Sequence, residues 1–267
     1  MKAYAKINLK LNIISKRSDG YHSLDMIMQE IDLFDELIIT KVKNKQNKKT
    51  CKSLKDNNLV IKAARLMCQK YNLPFESLSF LLKKNIPISA GLGGGSSDCA
   101  NTIIQINKLF SLNLSNDSLI SIATSLGADV PFFIKGGCMK CEGIGEKLTE
   151  ANGLLNEYIL LITPNIYIST KTIFEEYDLI NNNNINSKNI YTNDLEKITI
   201  KKYPLIEDIK LQLIKCKAKV SLMSGSGSSV YGLFDIETDA KNAYNIIKKT
   251  FSENIRYIGI HKAINKR

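Results

Sequence analysis

Apolar and polar residues alternate from Tyr4 to Ile13, with Ile7, Leu9, Leu11 and Ile13 on one side and Lys6, Asn8, Lys10 and Asn12 on the other. A period of two predicts a strand with one polar face. Asp19-Gly20 is a turn signal before a second strand, and Leu37–Thr40 and Leu78-Phe80-Leu82 read as further strand segments. Helical spacing follows over Asn58–Tyr71, with Leu59, Ala63, Leu66 and Met67 inward. A second helix is expected over Ser115–Leu126, capped by Ser115 or Asn116, packing Leu119, Ile122, Ala123 and Leu126, and stopped by Gly127. A strand through Cys138–Cys141 leads to a Gly143–Gly145 turn.

After about Gly153 the pattern restarts. Strands are expected over Tyr158–Thr163 (ended by Pro164), Lys219–Met223, Val230–Phe234 and Arg256–His261. Helices are expected over Thr170–Tyr177, Leu205–Cys216 and Thr238–Phe251, and the Asn-rich tract Asn181–Asn186 reads as a surface loop. Helices alternating with hairpin strands predict an α+β fold rather than a doubly wound parallel sheet. The boundary falls near residue 150, dividing the chain into 1–150 and 151–267, with no internal repeat.

The most chemically suggestive segment runs from Asn85 to Asp98, where the third strand segment meets Gly91, Gly93, Gly94, Gly95, Ser96 and Ser97. Helical spacing resumes at Ala100, Ile103 and Ile104 and continues to Leu109 and Phe110. Glycines let the backbone approach a ligand closely, and a helix start offers unpaired N–H groups and a positive dipole end. Together they make an anion cradle suited to nucleotide phosphates. A plain turn capped by Ser97 or Asp98 would need one or two glycines, not four in five residues. No GxxxxGK[ST] occurs, and Ser96 stands where the last glycine of a GxGxxG would fall.

Three other segments carry further signals: Ala5-Lys6-Ile7-Asn8-Leu9 continuing to Asp19-Gly20-Tyr21-His22, then Gly127-Ala128-Asp129-Val130-Pro131-Phe132-Phe133, then Ser224-Gly225-Ser226-Gly227-Ser228-Ser229. Read alone, Lys6 is an ordinary strand lysine, Asp129 a turn residue before proline, and Tyr21 a hairpin aromatic. In this order and spacing, the four segments resemble the GHMP kinase superfamily, over nearly the whole chain from Lys2 to about His261. AKINL with DGYH and GADVPFF is closest to its branch acting on a cytidine-diphosphate-linked methylerythritol.

The resemblance implies a two-lobe fold, with a ribosomal protein S5 domain 2-like N-terminal lobe and a ferredoxin-like C-terminal lobe. It implies ATP as phosphoryl donor, bound along Pro87, Ile88, Ser89, Ala90, Gly91, Leu92, Gly93, Gly94, Gly95, Ser96 and Ser97. Lys6 and Asp129 are implied as the catalytic pair, with Asn8 and Thr170 at the acceptor and Tyr21, His22 and Phe174 around the cytidine. Mg²⁺ is expected on the triphosphate, although the chain shows no obvious dedicated carboxylate cluster for it. Two departures stand out: Ser89-Ala90 replaces residues that are usually Gly or Met-Gly, and Asp98 stands where many members carry Asn. Neither removes a backbone N–H.

Composition adjusts this picture only slightly. With 267 residues, 44% hydrophobic and 24% charged, the chain suits one large or two modest domains. No apolar run spans a bilayer and no signal-peptide pattern is present, so a cytoplasmic protein without membrane partners is expected, as a monomer or weak homodimer. Cys138 and Cys141 have CxxC spacing, but no second CxxC exists and the histidines are His22 and His261, which argues against structural zinc. The net charge of +11 is the chief clue to a different function, RNA binding. The basic run Lys41–Lys49 has no aromatics for base stacking and no arginine, so a solvated loop is expected and no nucleic-acid partner.

Overall fold

A computed structural model describes residues 1–42, 54–180 and 189–265. In chain order the elements are β1 (Lys2–Lys16), β2 (His22–Lys41), α1 (Leu59–Lys70), β3 (Leu78–Lys83), α2 (Gly94–Leu109), α3 (Asn116–Thr124), α4 (Val130–Lys135), β4 (Cys138–Gly143) and β5 (Lys147–Glu150). The chain continues with β6 (Tyr158–Pro164), α5 (Thr170–Ile180), β7 (Thr192–Asn193), α6 (Glu196–Lys202), α7 (Leu205–Lys215), β8 (Val220–Met223), β9 (Val230–Phe234), α8 (Glu237–Thr250), β10 (Ile255–His261) and β11 (Ala263–Ile264). The α+β class is as expected. The Asn181–Asn186 tract and most of the Lys41–Lys49 run lie outside the described residues.

Two compact units share the chain. One comprises Met1–Ala5, Leu33–Ile86 and Gly93–Lys135; the other comprises Lys6–Asp32, Pro87–Leu92 and Gly136–Arg267. In the first, β3 pairs antiparallel with the later half of β2, from Glu36↔Lys83 to Lys41↔Leu78. Helices α1, α2, α3 and α4 pack on one another. Asn58 caps α1, its side chain accepting from Val60 N–H at 2.9 Å, and Ser115 caps α3, accepting from Ser118 N–H at 3.3 Å. The buried residues of α1 are Val60, Ile61, Ala63, Ala64, Met67 and Cys68, a stripe turned about one step from the expected one, leaving Leu59 and Leu66 half-buried. The small pair Ala63-Ala64 lets a neighbouring helix approach closely. The Val-Pro-Phe-Phe stretch forms the short buried helix α4, where a brief apolar run carries no period to announce a helix.

In the second unit the pairing order is β5-β4-β2-β1-β7, with β11 also on β2. The polar side of β1 is not open to water: Lys6, Asn8 and Asn12 are all buried. A separate sheet has the order β10-β6-β9-β8 with every pairing antiparallel. Helices α7 and α8 pack against it. Read as β6-α-β8-β9-α-β10, this is the βαββαβ arrangement of ferredoxin-like folds, as expected for the C-terminal part. Core residues Ile159, Leu160, Leu161, Ile162, Val230, Tyr231, Leu233 and Ile247 are fully buried. Among the described residues, no helix is long and apolar enough to cross a membrane.

Candidate active site

The glycine segment becomes helical earlier than its spacing suggested. Gly93 occupies the helix-start position in left-handed conformation, φ 68°, and α2 begins at Gly94, so Gly94, Gly95, Ser96 and Ser97 form its first turn. The first intrahelical bond joins Ser97 N–H to the Gly93 carbonyl at 2.9 Å. The amides of Gly94, Gly95 and Ser96 therefore have no acceptor within the helix, and no side chain caps them. Ser97 Oγ is buried and without a hydrogen-bond partner among the described residues. A row of free amides at a helix start, with an unspent hydroxyl beside it, fits a polyphosphate.

Beneath that turn is a buried ionic cluster invisible in the sequence pattern. Lys84 donates to Asp98 at 2.7 Å and also bonds Asp35, which is fully buried. Asp35 in turn accepts the amides of Asn85 and Ile86 at 2.6 and 2.8 Å. Burial pushes the Asp98 carboxyl up to about 7, against the pull of Lys84 and helped by repulsion from Asp35. The cluster holds both the residues just before the glycine segment and the helix just after it. Asp129 belongs to the same unit, half-buried in the turn preceding α4, which packs against α2.

The other unit gathers the remaining loop residues. Ser89 has φ 50° and Gly91 φ 75°. A Cβ on Gly91 would lie 2.0 Å from the Ser224 carbonyl oxygen, so only glycine fits there. Ser224 Oγ donates to the Gly91 carbonyl at 2.9 Å, and Ser229 N–H donates to the Ala90 carbonyl at 3.1 Å. The serine-glycine loop after β8 is thus bonded directly to the segment before Gly93. Asn193 fixes that loop from behind, donating to the carbonyls of Met223 and Gly225 at 2.8 Å each.

Lys6 joins the same group. Its backbone N–H donates to the Leu92 carbonyl at 3.0 Å, and its ammonium donates to Asn8 Oδ1. At 3% exposed it is not the solvated strand lysine that a lysine-rich chain usually carries. Asn8 is pinned in turn: Ser224 Oγ accepts its N–H at 3.3 Å and Tyr231 donates to its carbonyl at 2.9 Å. Thr170 Oγ1 meets Ser226 Oγ at 2.8 Å, so Thr170 reaches this loop as well.

His22 lies apart from these, in a setting made by α5. Its ring stacks on Phe174 with centroids 4.9 Å apart, and Nε2 lies 2.6 Å from Asp178 Oδ1. Tyr21 is 59% exposed, with its N–H on Asp19 at 3.1 Å. Phe174 was expected across from Tyr21 and His22 with a base between them; here it packs directly on the imidazole. Asn193 and Asp178 are additions to the residues expected at the site, and Ser224 and Ser226 belong to the serine-glycine segment already singled out. The serines stood out as a segment, whereas Asp178 is 156 residues from His22 and had no local signal. Among the described residues no three His, Cys, Asp or Glu side chains are grouped to hold a metal.

Residues 58–137 match the GHMP kinases N terminal domain, and residues 174–253 match the GHMP kinases C terminal model. A 4-diphosphocytidyl-2-C-methyl-D-erythritol kinase of Clostridium novyi is 41% identical, over 94% of this chain and 96% of its own length. The proteins of the same description from Acetivibrio thermocellus and Thermoanaerobacter pseudethanolicus are 42% and 40% identical, over 94% and 100% of this chain and 95% and 96% of their own. A crystal structure of a 4-(cytidine 5'-diphospho)-2C-methyl-D-erythritol kinase superposes with TM-score 0.77 at 26% identity, covering 98% of both chains. A homoserine kinase of Cytophaga hutchinsonii shares the fold, with TM-score 0.73 at 16% identity over 100% of this chain and 96% of its own.

Proposed function

Because the chain belongs to the GHMP kinases, and among them to the 4-diphosphocytidyl-2-C-methyl-D-erythritol kinases, we propose that Lys6 and Asp129 carry out its phosphoryl transfer. The acceptor is the 2-hydroxyl of 4-diphosphocytidyl-2-C-methyl-D-erythritol, the donor is ATP, and the products are the 2-phosphate and ADP, in the non-mevalonate route to isoprenoids. The new O–P bond forms as the bridging bond to the β-phosphate breaks, and the hydroxyl proton passes to the Asp129 carboxylate. The Lys6 ammonium, desolvated and oriented by Asn8, stabilises the negative charge on the reacting oxygens. Amides of Gly94, Gly95 and Ser96 bind phosphate oxygens, and the strand-side residues Pro87, Ile88, Ser89, Ala90, Gly91 and Leu92 follow the phosphate chain.

The observation that carries this reading is the burial of Lys6, tied through its own backbone to Leu92 of the phosphate segment. Asn8 and Thr170 orient the acceptor alcohol, while Tyr21, His22 and Phe174 take the cytidine. Mg²⁺ would accompany the ATP triphosphate and neutralise part of its charge. The lobes are taken as 1–150 and 151–267, a division that keeps each matched family segment whole, although the compact units interleave and group Lys6–Asp32, Pro87–Leu92 and residues 136–150 with the later part of the chain. A cytoplasmic monomer or weak homodimer, with no nucleic-acid or membrane partner, completes the reading.

The test is ATP-dependent phosphorylation of the cytidylated substrate, set against homoserine, mevalonate and free sugars. Lys6→Ala and Asp129→Asn should each lower kcat by about 10²–10⁴-fold while changing the KM for ATP little. Near-normal turnover in either variant removes that residue from its role. Preference for an acceptor without a nucleotide would overturn the substrate.

A further inference from the structure

Helix α5 presents Phe174, Tyr177 and Asp178 at i, i+3 and i+4, the spacing of a single helix face, and all three meet His22. Phe174 stacks on the imidazole at 4.9 Å with 29° between planes, and Tyr177 meets its edge at 6.4 Å and 88°. Asp178 Oδ1 lies 2.6 Å from Nε2, and Asp178 Oδ2 takes the Lys16 ammonium at 2.7 Å. Burial would raise the Asp178 carboxyl, but hydrogen bonds from Lys16 and His22 hold it below its ordinary value. A carboxylate can only accept, so the hydrogen of this bond belongs to His22 Nε2. The neutral ring then has its lone pair at Nδ1, which has no hydrogen bond to any described residue.

We propose that Asp178 is a positioning residue that locks His22 in the Nε2–H tautomer, so that Nδ1 is offered as an acceptor to the exocyclic amino group of a 4-aminopyrimidine. This rests on the reading that Tyr21 and His22 receive the base. An acceptor at that point suits cytosine, whose 4-position donates, and meets the 4-oxo group of uracil with its lone pair. The selectivity is set from outside the base's own contacts. Lys16 and Asp178 determine which ring nitrogen is free, and Phe174 and Tyr177 prevent the ring from turning over. Were Asp178 absent, nothing would hold the ring in one tautomer or orientation, and the acceptor offered to the 4-amino group would be weakened.

The chain's two histidines make this directly measurable. In long-range ¹H–¹⁵N spectra of the full chain near neutral pH, His22 should show a protonated Nε2 and a lone-pair Nδ1. Asp178→Ala should mix the tautomers, while His261, held by Asp32 and Tyr257, keeps its signals and certifies the fold. Calorimetric titration with CDP and UDP supplies the second readout. The wild-type chain should prefer CDP by at least about 10-fold, and Asp178→Ala should lose about 10-fold in CDP affinity with UDP changed less than about 2-fold. Asp178→Asn retains an acceptor for Nε2–H and should keep most of the preference. A cationic or Nδ1–H His22 in the wild type, or an Asp178→Ala chain with its CDP preference intact, overturns the proposal. Failure of the wild type to bind CDP at all overturns the underlying assignment of the base site instead.

Discussion

Asp98 holds a proton in the folded chain that the unfolded chain gives up near 3.8, because burial pushes its carboxyl up to about 7. The sign follows from linkage: the unfolded state binds fewer protons between these values, so this group's contribution is fully present at low pH and is lost as pH rises toward 7. Asparagine imitates the protonated carboxyl without titrating, and Asp35 remains to pair with Lys84. Asp98→Asn should therefore match the wild type in stability near about pH 4 and exceed it by about 2 kcal/mol near about pH 8. Urea unfolding of both proteins at the two pH values checks this. A variant that is less stable at the higher pH would show Asp98 to be an ionised partner of Lys84. The residues of this cluster illustrate what a sequence hides. Lys84 and Asp98 flank the glycine segment, and Asp98 is conspicuous as a departure from the family pattern. Asp35 sits in the middle of a long strand, and only its zero exposure and its bonds to Asn85 and Ile86 reveal its role. Lys6 lay at the other extreme, legible from the motif around it although its burial was not.

Among the elements, β7 is only two residues long, yet it holds the loop after β8. It pairs in parallel with Lys10 and Leu11 of β1, and Asn193 sends both hydrogens of its amide to the carbonyls of Met223 and Gly225. Its own Oδ1 accepts the Leu195 amide at 3.0 Å, so all three bonds depend on one buried side chain. Asn193→Ala should cost about 2–3 kcal/mol, since it leaves buried carbonyls unpaired. It should also raise KM for both substrates more than it lowers kcat, because the loop bonded to Ala90 and Gly91 loses its backing. Denaturant unfolding beside steady-state kinetics tests both halves, and an unchanged KM would separate this loop from substrate binding. No periodicity can announce a two-residue strand, and α6 was equally hidden, its Ile198, Thr199 and Ile200 favouring extended structure locally. Long patterned elements were legible nearly to the residue: β9 spans Val230–Phe234 as expected, α7 ends one residue early, and α8 both starts and ends one residue early. The start of α2 lies several residues before the first helical spacing, because glycines and serines carry no helical signature. Only the left-handed Gly93 marks the true start.

For the molecule as a whole, the α+β class and the order of motifs were legible because they depend on local pattern. Contacts such as Asn8–Tyr231 and Gly91–Ser224 join positions 223 and 133 residues apart, beyond the reach of any pattern. The same distinction bears on the +11 charge, which as a bare sum suggests nucleic acid. Among the described residues several of the positive groups are paired within their own surroundings. Arg17 and Arg65 pair with Asp19 and Asp56, and Arg256 lies over the Tyr167 ring, 4.5 Å from its centroid. Lys10, Lys219 and Lys241 are met by Asp25, Asp235 and Glu237. Tight RNA binding needs several cations free to displace counterions along one track, with aromatics for the bases. A dispersed excess instead gives a weak general field that draws in phosphorylated substrates and fades with salt. Labelled single-stranded RNA followed by fluorescence anisotropy at about 150 mM salt should therefore bind no tighter than about 10⁻⁴ M, the weak end of non-specific association. In the same buffers, kcat/KM for the kinase reaction should fall only about two- to threefold between about 50 and 200 mM salt. Micromolar RNA binding that weakens by several powers of ten across that range would mean the charge forms a track after all, and would give the chain a second, nucleic-acid-directed role.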